Sequence, residues 1–171
     1  MNTPIATAVL RIPLTNGKGS TIVDADYTPS SWQWYIHRGY RTEYARRTEG
    51  KGHIFLHREI MANMLGRPLE LSEQVDHING DGLDNRRANL RLATNTENQH
   101  NSRKPKTNTS GYKGVYWYKP TQKWCARIRV NGQRLHLGYF ADPVAAARMY
   151  DRAALYFHGE FYRANFPRKN Y

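Results

Sequence analysis

Residues 75–101, VDHINGDGLDNRRANLRLATNTENQHN, decide the fold and the chemistry of the first half of this chain. The stretch opens with an adjacent acid and imidazole, Asp76 and His77. A loop rich in Gly, Asn and Asp follows, and a helical pattern from 94 to about 103 then carries Asn98. An acid beside a histidine, with an amide oxygen returned by a short helix, is an arrangement that can hold one hard divalent cation and one general base.

Hydrolysis of a phosphodiester requires an activated water, neutralisation of the developing charge and stabilisation of the leaving oxygen. One hard cation can do the last two, and a neutral imidazole can do the first. Neighbouring residues on a strand point to opposite faces, so we expect Asp76 to face a metal and His77 to face the far side of the phosphate. Oxygen ligands such as those of Asp76 and Asn98 suit Mg²⁺ or Mn²⁺ better than Zn²⁺. Asn89 is the candidate for holding the loop in place.

The spacing alone leaves other interpretations of this segment open. The same density of Gly, Asn and Asp is typical of an ordinary surface loop, and a calcium loop would need a closing Glu that is missing at the usual distance. His100 and Asn101 lie close enough to Asn98 along the predicted helix that either one could instead be the ligand or a phosphate contact.

The charge of the chain is strongly basic and unevenly distributed. Its 171 residues include 26 Lys and Arg against 14 Asp and Glu, and residues 110–171 alone have 11 basic and 3 acidic side chains. Clustered Lys and Arg displace condensed counterions from phosphates, so this third of the chain predicts a polyanionic partner. A solvated surface is the alternative interpretation.

Cys125 is the only cysteine, which excludes an intrachain disulfide and a Cys-rich zinc site. Arg11 and Pro13 interrupt the apolar run near the N-terminus, so we expect neither a signal peptide nor a membrane span. The expected location is a reducing cytoplasm.

Hydrophobic periodicity and turn residues predict the following elements. Short strands are expected at 8–12, 20–23, 32–37, 53–57 and 75–78, with helices at 58–65 and from 94 to about 103. A stretch without apolar residues, 102–110, is expected to be a hinge or a flexible linker. Strands at 112–118, 124–130 and 134–140 and a helix from Pro143 to about His158 complete the chain. Asn131-Gly132 predicts a tight hairpin turn, and Asp142 predicts an N-cap.

The last two strands alternate between apolar and basic residues. Trp124, Ala126, Ile128 and Val130 are expected on one face of the first, with Cys125, Arg127 and Arg129 on the other. On the second, Leu135, Leu137 and Tyr139 are expected on the apolar face, with Arg134 and His136 opposite. The basic face predicts contacts with the phosphates and base edges of DNA.

Residues 75–101 resemble the HNH endonuclease motif, in the Asn-terminated form found in phage and intron homing enzymes. The match includes Asp76 and His77, Asn89 within Asn-Leu-Arg, and Asn98 at the last position, where many members have His. This resemblance implies two strands and a helix around a metal ion, with His77 as general base and Asn89 fixing the loop. Asp76 and Asn98 are the implied metal ligands. The upstream segment 57–61, HREIM, also resembles these phage proteins.

Residues 111–167 resemble the Apetala-two/ethylene-response-factor DNA-binding domain. The matching segments, in order, are GYKGVYW, KWCARIRV, LHLGYF, DPVAAARMYDRAALYFHG and NFP. The resemblance implies a three-stranded antiparallel sheet in the major groove of DNA, with a helix packed behind it. The implied DNA contacts are Lys113, Tyr116, Trp124, Arg127, Arg129, Arg134 and His136.

Some positions depart from this second family. Tyr116 and His136 occupy positions that are usually Arg or Trp, and Arg127 replaces a usual acid, so the plant target sequence is not expected here. Gly114 is expected to bulge the first strand and turn Lys113 outward. Trp124 could equally be a core residue.

We therefore predict an α+β protein, with small N-terminal strands and a ββα-metal finger followed by a three-stranded antiparallel sheet packed on one helix. The predicted parts are a nuclease domain at 1–101 with its metal core at about 75–103, a linker at 102–110, and a DNA-binding domain at 111–167.

The expected function is that of a metal-dependent homing-type DNA endonuclease that nicks one strand with Mg²⁺ or Mn²⁺. We expect double-stranded DNA as its partner, a monomer on DNA, no membrane, and no small-molecule cofactor beyond the metal. The expected setting is the cytoplasm of a bacterial or phage-infected cell. The alternative is a non-catalytic DNA-binding or regulatory protein with an inactive HNH remnant. An RNA-binding role is weaker, because the aromatic residues follow a core pattern and form no stacking platform.

Overall fold

A computed structural model describes residues 8–15, 19–29, 33–105 and 107–167 of the chain. It divides into two compact units, Met1–Asn98 and Gln99–Tyr171. Both units combine small antiparallel sheets with helices, so the predicted α+β class is confirmed. None of the helices in these described ranges is long and apolar enough to cross a membrane.

The described residues of the first unit form three antiparallel sheets, one helix and most of a second. Its strands are β1 (Val9–Pro13) paired with β2 (Ser20–Asp24), the sheet β3–β4–β5 (Tyr35–Arg38, Glu43–Glu49 and Gly52–Phe55), and β6 (Gln74–His77) paired with β7 (Leu90–Ala93). Helix α1 is Leu56–Leu65, a 3₁₀ turn at Arg87–Asn89 precedes β7, and helix α2 is Asn95–His100. The strand–loop–strand–helix order from β6 to α2 is the arrangement that the motif resemblance implied.

One hydrophobic core holds the sheets of this unit against α1. Its most deeply buried members are Ile12, Val23, Trp34, Ala45 and Leu56, and Val75 and Leu90 bring β6 and β7 into the same cluster. Full burial of an aliphatic side chain contributes about 1.5–3 kcal/mol, so this cluster fixes β6 and β7 on α1.

The second unit is a three-stranded antiparallel sheet backed by a helix. Its strands are β8 (Val115–Tyr118), β9 (Lys123–Val130) and β10 (Gln133–Phe140) in the order β10–β9–β8, and helix α3 is Pro143–His158. Short 3₁₀ turns lie at Lys119–Thr121 and Gly159–Phe161. Small residues on the helix, Ala146, Ala147 and Ala154, are fully buried and allow α3 to lie close to the sheet.

Two predictions for the second unit that depend only on neighbouring residues are confirmed. Asn131 (φ 49°) and Gly132 (φ 80°) form a left-handed turn between β9 and β10, as the Asn-Gly pair predicted. The carboxylate of Asp142 caps α3 by accepting from the backbone N–H groups of Val144 and Ala145.

The predicted face of Tyr139 is wrong. A β-bulge lies between His136 and Gly138, so that Tyr139 is paired with Cys125 on the face away from the helix. Its ring accordingly packs on His136, with 4.5 Å between centroids. The extra residue of a bulge reverses the alternation beyond it, which a simple period of two cannot anticipate.

Three further elements differ from what the sequence predicts. Strand β4 was not predicted, because among the residues of EYARRTE only Ala45 is fully buried and no apolar alternation marks it. The predicted strand 32–37 begins at residues outside the described ranges, and its described part forms β3 from Tyr35. Helix α2 ends at His100, earlier than the predicted 103.

Candidate active site and basic sheet face

Strand β6 presents Asp76 and His77 to opposite faces of the β6–β7 pair. The Asp76 carboxylate is 4 % exposed and lies opposite Arg91 in the register of the two strands. The Nε and Nη2 atoms of Arg91 both donate to Asp76 Oδ2, at 2.9 and 2.7 Å. This ion pair offsets part of the desolvation cost of burying the carboxylate.

His77 lies in a buried aromatic environment. Its ring centroid lies 5.0 Å from that of His57 and 5.9 Å from that of Tyr44, and its Nε2 lies 3.1 Å from Asn85 Oδ1. Burial lowers the pKa of the His77 imidazole, although the hydrogen bond to Asn85 and the carboxylate of Asp76 act in the opposite direction. A lowered pKa keeps the ring neutral at physiological pH, which is the form that can accept a proton.

Asn89 holds the loop between β6 and β7 through its side-chain amide. Its Oδ1 accepts from the backbone N–H of Asn79 at 3.0 Å, and its Nδ2 donates to Asn79 Oδ1 at 3.1 Å and to the backbone oxygen of Asp84 at 2.7 Å. The two ends of the loop are thus tied together beside His77. The sequence motif had implied a loop-fixing part for this residue.

The loop is further ordered by Asp84 and Gly82. Asp84 accepts from Asn79 Nδ2 at 2.9 Å and forms a two-bond pair with Arg86, which is the main cause of the lowered pKa of Asp84. A Cβ at Gly82 would overlap the backbone oxygen of Glu43, so only glycine lets the loop approach β4 this closely.

Helix α2 places Asn98 next to strand β6. Its N-terminus is a capping box, in which Thr94 N–H donates to Glu97 Oε2 at 2.7 Å and Glu97 N–H donates to Thr94 Oγ1 at 3.2 Å. Asn98 Nδ2 donates to Gln74 Oε1 at 2.8 Å. Gln74 is two residues before Asp76 and shares its face of the strand, so Asn98 and Asp76 approach the same face.

These residues fit a hard divalent cation that completes its coordination with water and phosphate. The Gln74 bond uses the nitrogen of the Asn98 amide, whose other polar atom is an oxygen, and Asp76 supplies a carboxylate. Among the residues that the structure describes, no group of three or more His, Cys, Asp or Glu is placed to hold a metal. Mg²⁺ characteristically keeps several waters and takes one or two protein carboxylates.

His100 and Asn101 belong to the second unit. The ring of His100 stacks on His158 of α3 with 3.5 Å between centroids, and Asn101 is buried. His158 Nε2 in turn lies 3.0 Å from the backbone oxygen of Arg129, and burial is the main cause of its lowered pKa. The structure thus places His100 against α3 and buries Asn101.

The outer face of the second sheet forms a basic surface. Arg127 and Arg129 on β9 lie opposite His136 and Arg134 on β10, and all four side chains are exposed. The Arg127 guanidinium lies 4.4 Å from the ring centre of Tyr116 on β8. This cation–π contact holds the arginine over the sheet in an extended position.

Two other predicted DNA contacts have different surroundings. Lys113 Nζ donates to the backbone oxygens of His100 and Ser102, at 2.6 and 2.8 Å. Trp124 pairs with Trp117 in the sheet and packs partly buried against the helix-side cluster, so it is not in the row of exposed arginines. The expected outward turn of Lys113 is therefore wrong, because its ammonium is used to bind those carbonyl oxygens.

Several residues of the site were not predicted from the sequence. Thr21, Tyr44, His57 and Asn85 all contribute to the surroundings of His77 or its loop. The signal for Asn85 was its polar type within the loop, and the signal for His57 was the resemblance of segment 57–61 to phage proteins. Thr21 and Tyr44 are distant in the chain and carried no local signal.

Comparisons with known proteins match both halves of the chain. A family model described as HNH endonuclease matches residues 55–100, and one described as AP2 domain matches residues 110–160. Protein 3.8 of Escherichia phage T7 is 34 % identical over 96 residues, covering 56 % of this chain and 78 % of that protein. An uncharacterized HNH endonuclease, L560, of Acanthamoeba polyphaga mimivirus is 31 % identical over 156 residues, covering 89 % of this chain and 78 % of that protein.

The second unit is also similar to plant proteins. APETALA2-like protein 2 of Oryza sativa is 41 % identical over 69 residues, which cover 40 % of this chain and 16 % of the plant protein. The similarity is thus confined to one part of the plant protein. No solved structure matches the chain.

Proposed function

The chain belongs to the HNH endonuclease family and has an AP2 domain after its HNH domain, and from this premise we propose that it is a metal-dependent homing-type DNA endonuclease that nicks one strand. Both domains imply DNA as the partner. One active site per chain would cut one strand, so the proposed active form is a monomer on double-stranded DNA. Similarity to a phage T7 protein supports action in the cytoplasm of an infected bacterial cell.

His77 is the proposed general base. Its burial keeps the imidazole neutral, and a neutral imidazole can take a proton from the water that attacks phosphorus. Asn89 has a positioning part, because its three hydrogen bonds fix the loop that packs beside His77.

Asp76 and Asn98 would hold the divalent cation, Mg²⁺ or Mn²⁺. When bound, the cation supplies the positive charge that neutralises the phosphate and stabilises the leaving oxygen. The observation that carries the proposal is the Asn98–Gln74 hydrogen bond of 2.8 Å, because it ties α2 to the face of β6 that carries Asp76.

The exposed row on the second sheet is the proposed DNA-binding surface. Arg127, Arg129, Arg134 and His136 can donate to guanine edges and phosphates, and Tyr116 supports Arg127. Lys113 and Trp124 complete the proposed set, with Lys113 acting through the backbone that it holds and Trp124 near the start of the central strand β9. The proposed nuclease domain, 1–101, and DNA-binding domain, 111–167, divide the two tasks.

A plasmid-nicking assay with purified protein tests the nuclease. We expect Mg²⁺-dependent conversion of supercoiled to open-circular plasmid, its loss in EDTA, and a fall of at least about 10²-fold in the His77→Ala variant, since general-base catalysis typically contributes 10²–10⁴-fold. DNA affinity should stay within about twofold, because the basic sheet face is untouched.

His53→Ala is the matched control, because His53 is an exposed histidine of the same unit. Its nicking rate should equal that of the unchanged protein. Unchanged nicking by His77→Ala with Mg²⁺ would refute the assignment of the base.

A non-catalytic DNA-binding protein is the second candidate, and the Asp76–Arg91 pair is the observation that favours it. A carboxylate held at 2.7 Å by a guanidinium has part of its charge already neutralised. Under this alternative the plasmid stays supercoiled with Mg²⁺ or Mn²⁺, although the protein binds it.

A further inference from the structure

We propose that Asn85 is a positioning residue that fixes the tautomer of His77, through a chain of hydrogen bonds that starts on strand β2. The inference rests on the proposed role of His77 as general base. It also means that the N-terminal hairpin β1–β2 helps to arrange the active site. This hairpin precedes the HNH motif by some 50 residues of sequence.

The direction of each hydrogen bond follows from which atoms can only accept. The Thr21 hydroxyl donates to the backbone oxygen of Leu83 at 2.8 Å, and it therefore accepts the 2.7 Å bond from Asn85 Nδ2. The same Nδ2 donates to the backbone oxygen of Gly82 at 3.4 Å. These partners distinguish the two ends of the amide, so that Oδ1 of Asn85 is the atom that lies 3.1 Å from His77 Nε2.

An amide oxygen can only accept, so the hydrogen of this last bond must belong to His77. In the neutral ring the proton is then on Nε2 and the lone pair is on Nδ1. We assign Nδ1 as the atom that accepts the proton. The water O–H bond breaks as its oxygen bonds phosphorus, the proton goes to Nδ1, and the ester oxygen leaves with its electron pair.

Burial favours the observed orientation of the Asn85 amide over the flipped one. Thr21 and Asn85 are both 0 % exposed, so water does not compete for their hydrogen bonds. A flipped Asn85 amide would turn its oxygen toward the oxygen of Gly82 and its nitrogen toward the N–H of His77. Buried polar groups that lose their hydrogen-bond partners are destabilising, and this cost opposes that flip.

The backbone of the loop is attached to the same strand. Ile22 N–H donates to the oxygen of Leu83 at 2.8 Å, and Asn85 N–H donates to the oxygen of Ile22 at 2.7 Å. The Asp24 carboxylate accepts from the N–H of Arg87 at 2.8 Å. Strand β2 thus fixes the backbone position of Asn85 as well as the orientation of its side-chain amide.

NMR of the full chain labelled with ¹⁵N-histidine tests the assignment without DNA. Two-bond couplings from the ring protons to the two nitrogens identify the tautomer, and the spectrum of a His77→Gln variant identifies the His77 signals. We expect a single Nε2–H tautomer for His77. An Nδ1–H tautomer in the unchanged protein would overturn the proposal by itself, whatever any variant does.

Substitutions at Thr21 separate positioning from packing. Thr21→Val keeps the shape and removes the hydroxyl, so the Asn85 amide is free to flip and His77 should show both tautomers. Thr21→Ser keeps the hydroxyl and should restore the single Nε2–H tautomer. Retention of the single tautomer in Thr21→Val would contradict the hydrogen-bond chain.

The rate of nicking provides a second readout. In Thr21→Val we expect the single-turnover nicking rate to fall at least tenfold while the Kd for DNA changes less than twofold, with Thr21→Ser close to the unchanged protein. A wild-type chain that shows the Nε2–H tautomer but never nicks DNA would refute the nuclease and leave the hydrogen-bond chain intact. A purely structural part for Thr21 would lower thermal stability and leave the tautomer of the folded fraction unchanged.

Discussion

The buried imidazole of His57 gives the first unit a pH-dependent stability. His57 lies in the first turn of α1 and packs on the rings of Tyr44 and His77. Within the described part of the chain its Nδ1 has no hydrogen-bond partner. Burial, with a smaller contribution from His77, lowers its pKa to about 3. The folded protein therefore keeps this ring neutral in a range where the unfolded chain, with a histidine pKa near 6.5, takes up a proton.

Acidification below the unfolded pKa should therefore destabilise the fold. The contribution of His57 is fully present above about pH 6.5, and it is lost as the pH falls from there toward 3, by up to about 1.4 kcal/mol per pH unit. In urea denaturation at pH 7 and pH 5, His57→Phe should lose less stability on acidification than the unchanged chain. The same change at the exposed His53 should leave the loss as it was, and equal losses in all three proteins would contradict the prediction.

At the scale of elements, strands β9 and β10 place like charges opposite each other. Arg129 pairs with Arg134 in the register, and no ion pair in the described part of the chain includes either of them. Directly opposed like charges destabilise a sheet, whereas a polyanion bound on that face would neutralise them.

Arg129→Gln should therefore weaken DNA binding without destabilising the free protein. We expect the Kd to rise by about 5- to 150-fold, corresponding to the loss of 1–3 kcal/mol for a base contact, while the melting temperature stays equal or rises slightly. Arg152→Gln removes the same charge from an exposed position on α3 and serves as the control in a fluorescence-anisotropy titration. Equal effects of the two substitutions would show that net charge alone, and no particular face, binds DNA.

The contact between β8 and α3 depends on a glycine. Gly114 has φ 77°, and a Cβ there would overlap the ring of Tyr150, which is itself buried. Gly114 was expected to bulge the first strand. In the structure it instead lets the strand approach the helix closely.

Gly114→Ala should destabilise the second unit by more than the strain of a positive φ alone. Gly111 is the matched control, because it has φ 82° but a Cβ added there would meet nothing within 4 Å. We expect a loss of about 1 kcal/mol for Gly111→Ala, and at least about 2 kcal/mol for Gly114→Ala, in thermal or urea unfolding. Equal losses would show that the tyrosine ring moves aside freely.

At the scale of the whole molecule, charge is divided between the two proposed tasks. Residues 110–171 contain 11 of the 26 Lys and Arg side chains and only 3 of the 14 Asp and Glu, whereas the HNH motif carries Asp76 on β6 and Asp84 in its loop. A basic module attached to a nuclease can raise the local concentration of the DNA to be cut.

Removal of 110–171 should weaken DNA binding and reduce its salt dependence. The slope of log K against log salt should fall by about 0.9 for each phosphate contact that is lost. Titrations at several salt concentrations check this, with circular dichroism to show that the remaining chain is folded. A full-length chain with Arg127, Arg129 and Arg134 changed to Gln is the companion variant and should show part of the same loss. Equal affinity and slope in the truncated chain would contradict a DNA-binding module.

The sequence predicted the features that depend on residues close together in the chain, and it missed features that depend on residues far apart in the chain. The turn at Asn131 and the cap at Asp142 follow from residues within a few positions of each other, and both formed as predicted. Strand β4 carries no apolar alternation, so its place was decided by packing between neighbours on both sides.

The candidate site shows the same division between features that are local in sequence and features that are not. The sequence by itself predicted Asp76, His77, Asn89 and Asn98 as one group, because the motif from Asp76 to Asn98 spans 23 residues and is a local pattern with family resemblance. Only the tertiary structure decided which hydrogen bonds these side chains make. The bond from Asn85 to Thr21 spans 64 positions and the bond from Asn98 to Gln74 spans 24. Contacts of that kind exist only once the core has brought β2, β6 and α2 together, since no local preference of the chain specifies them.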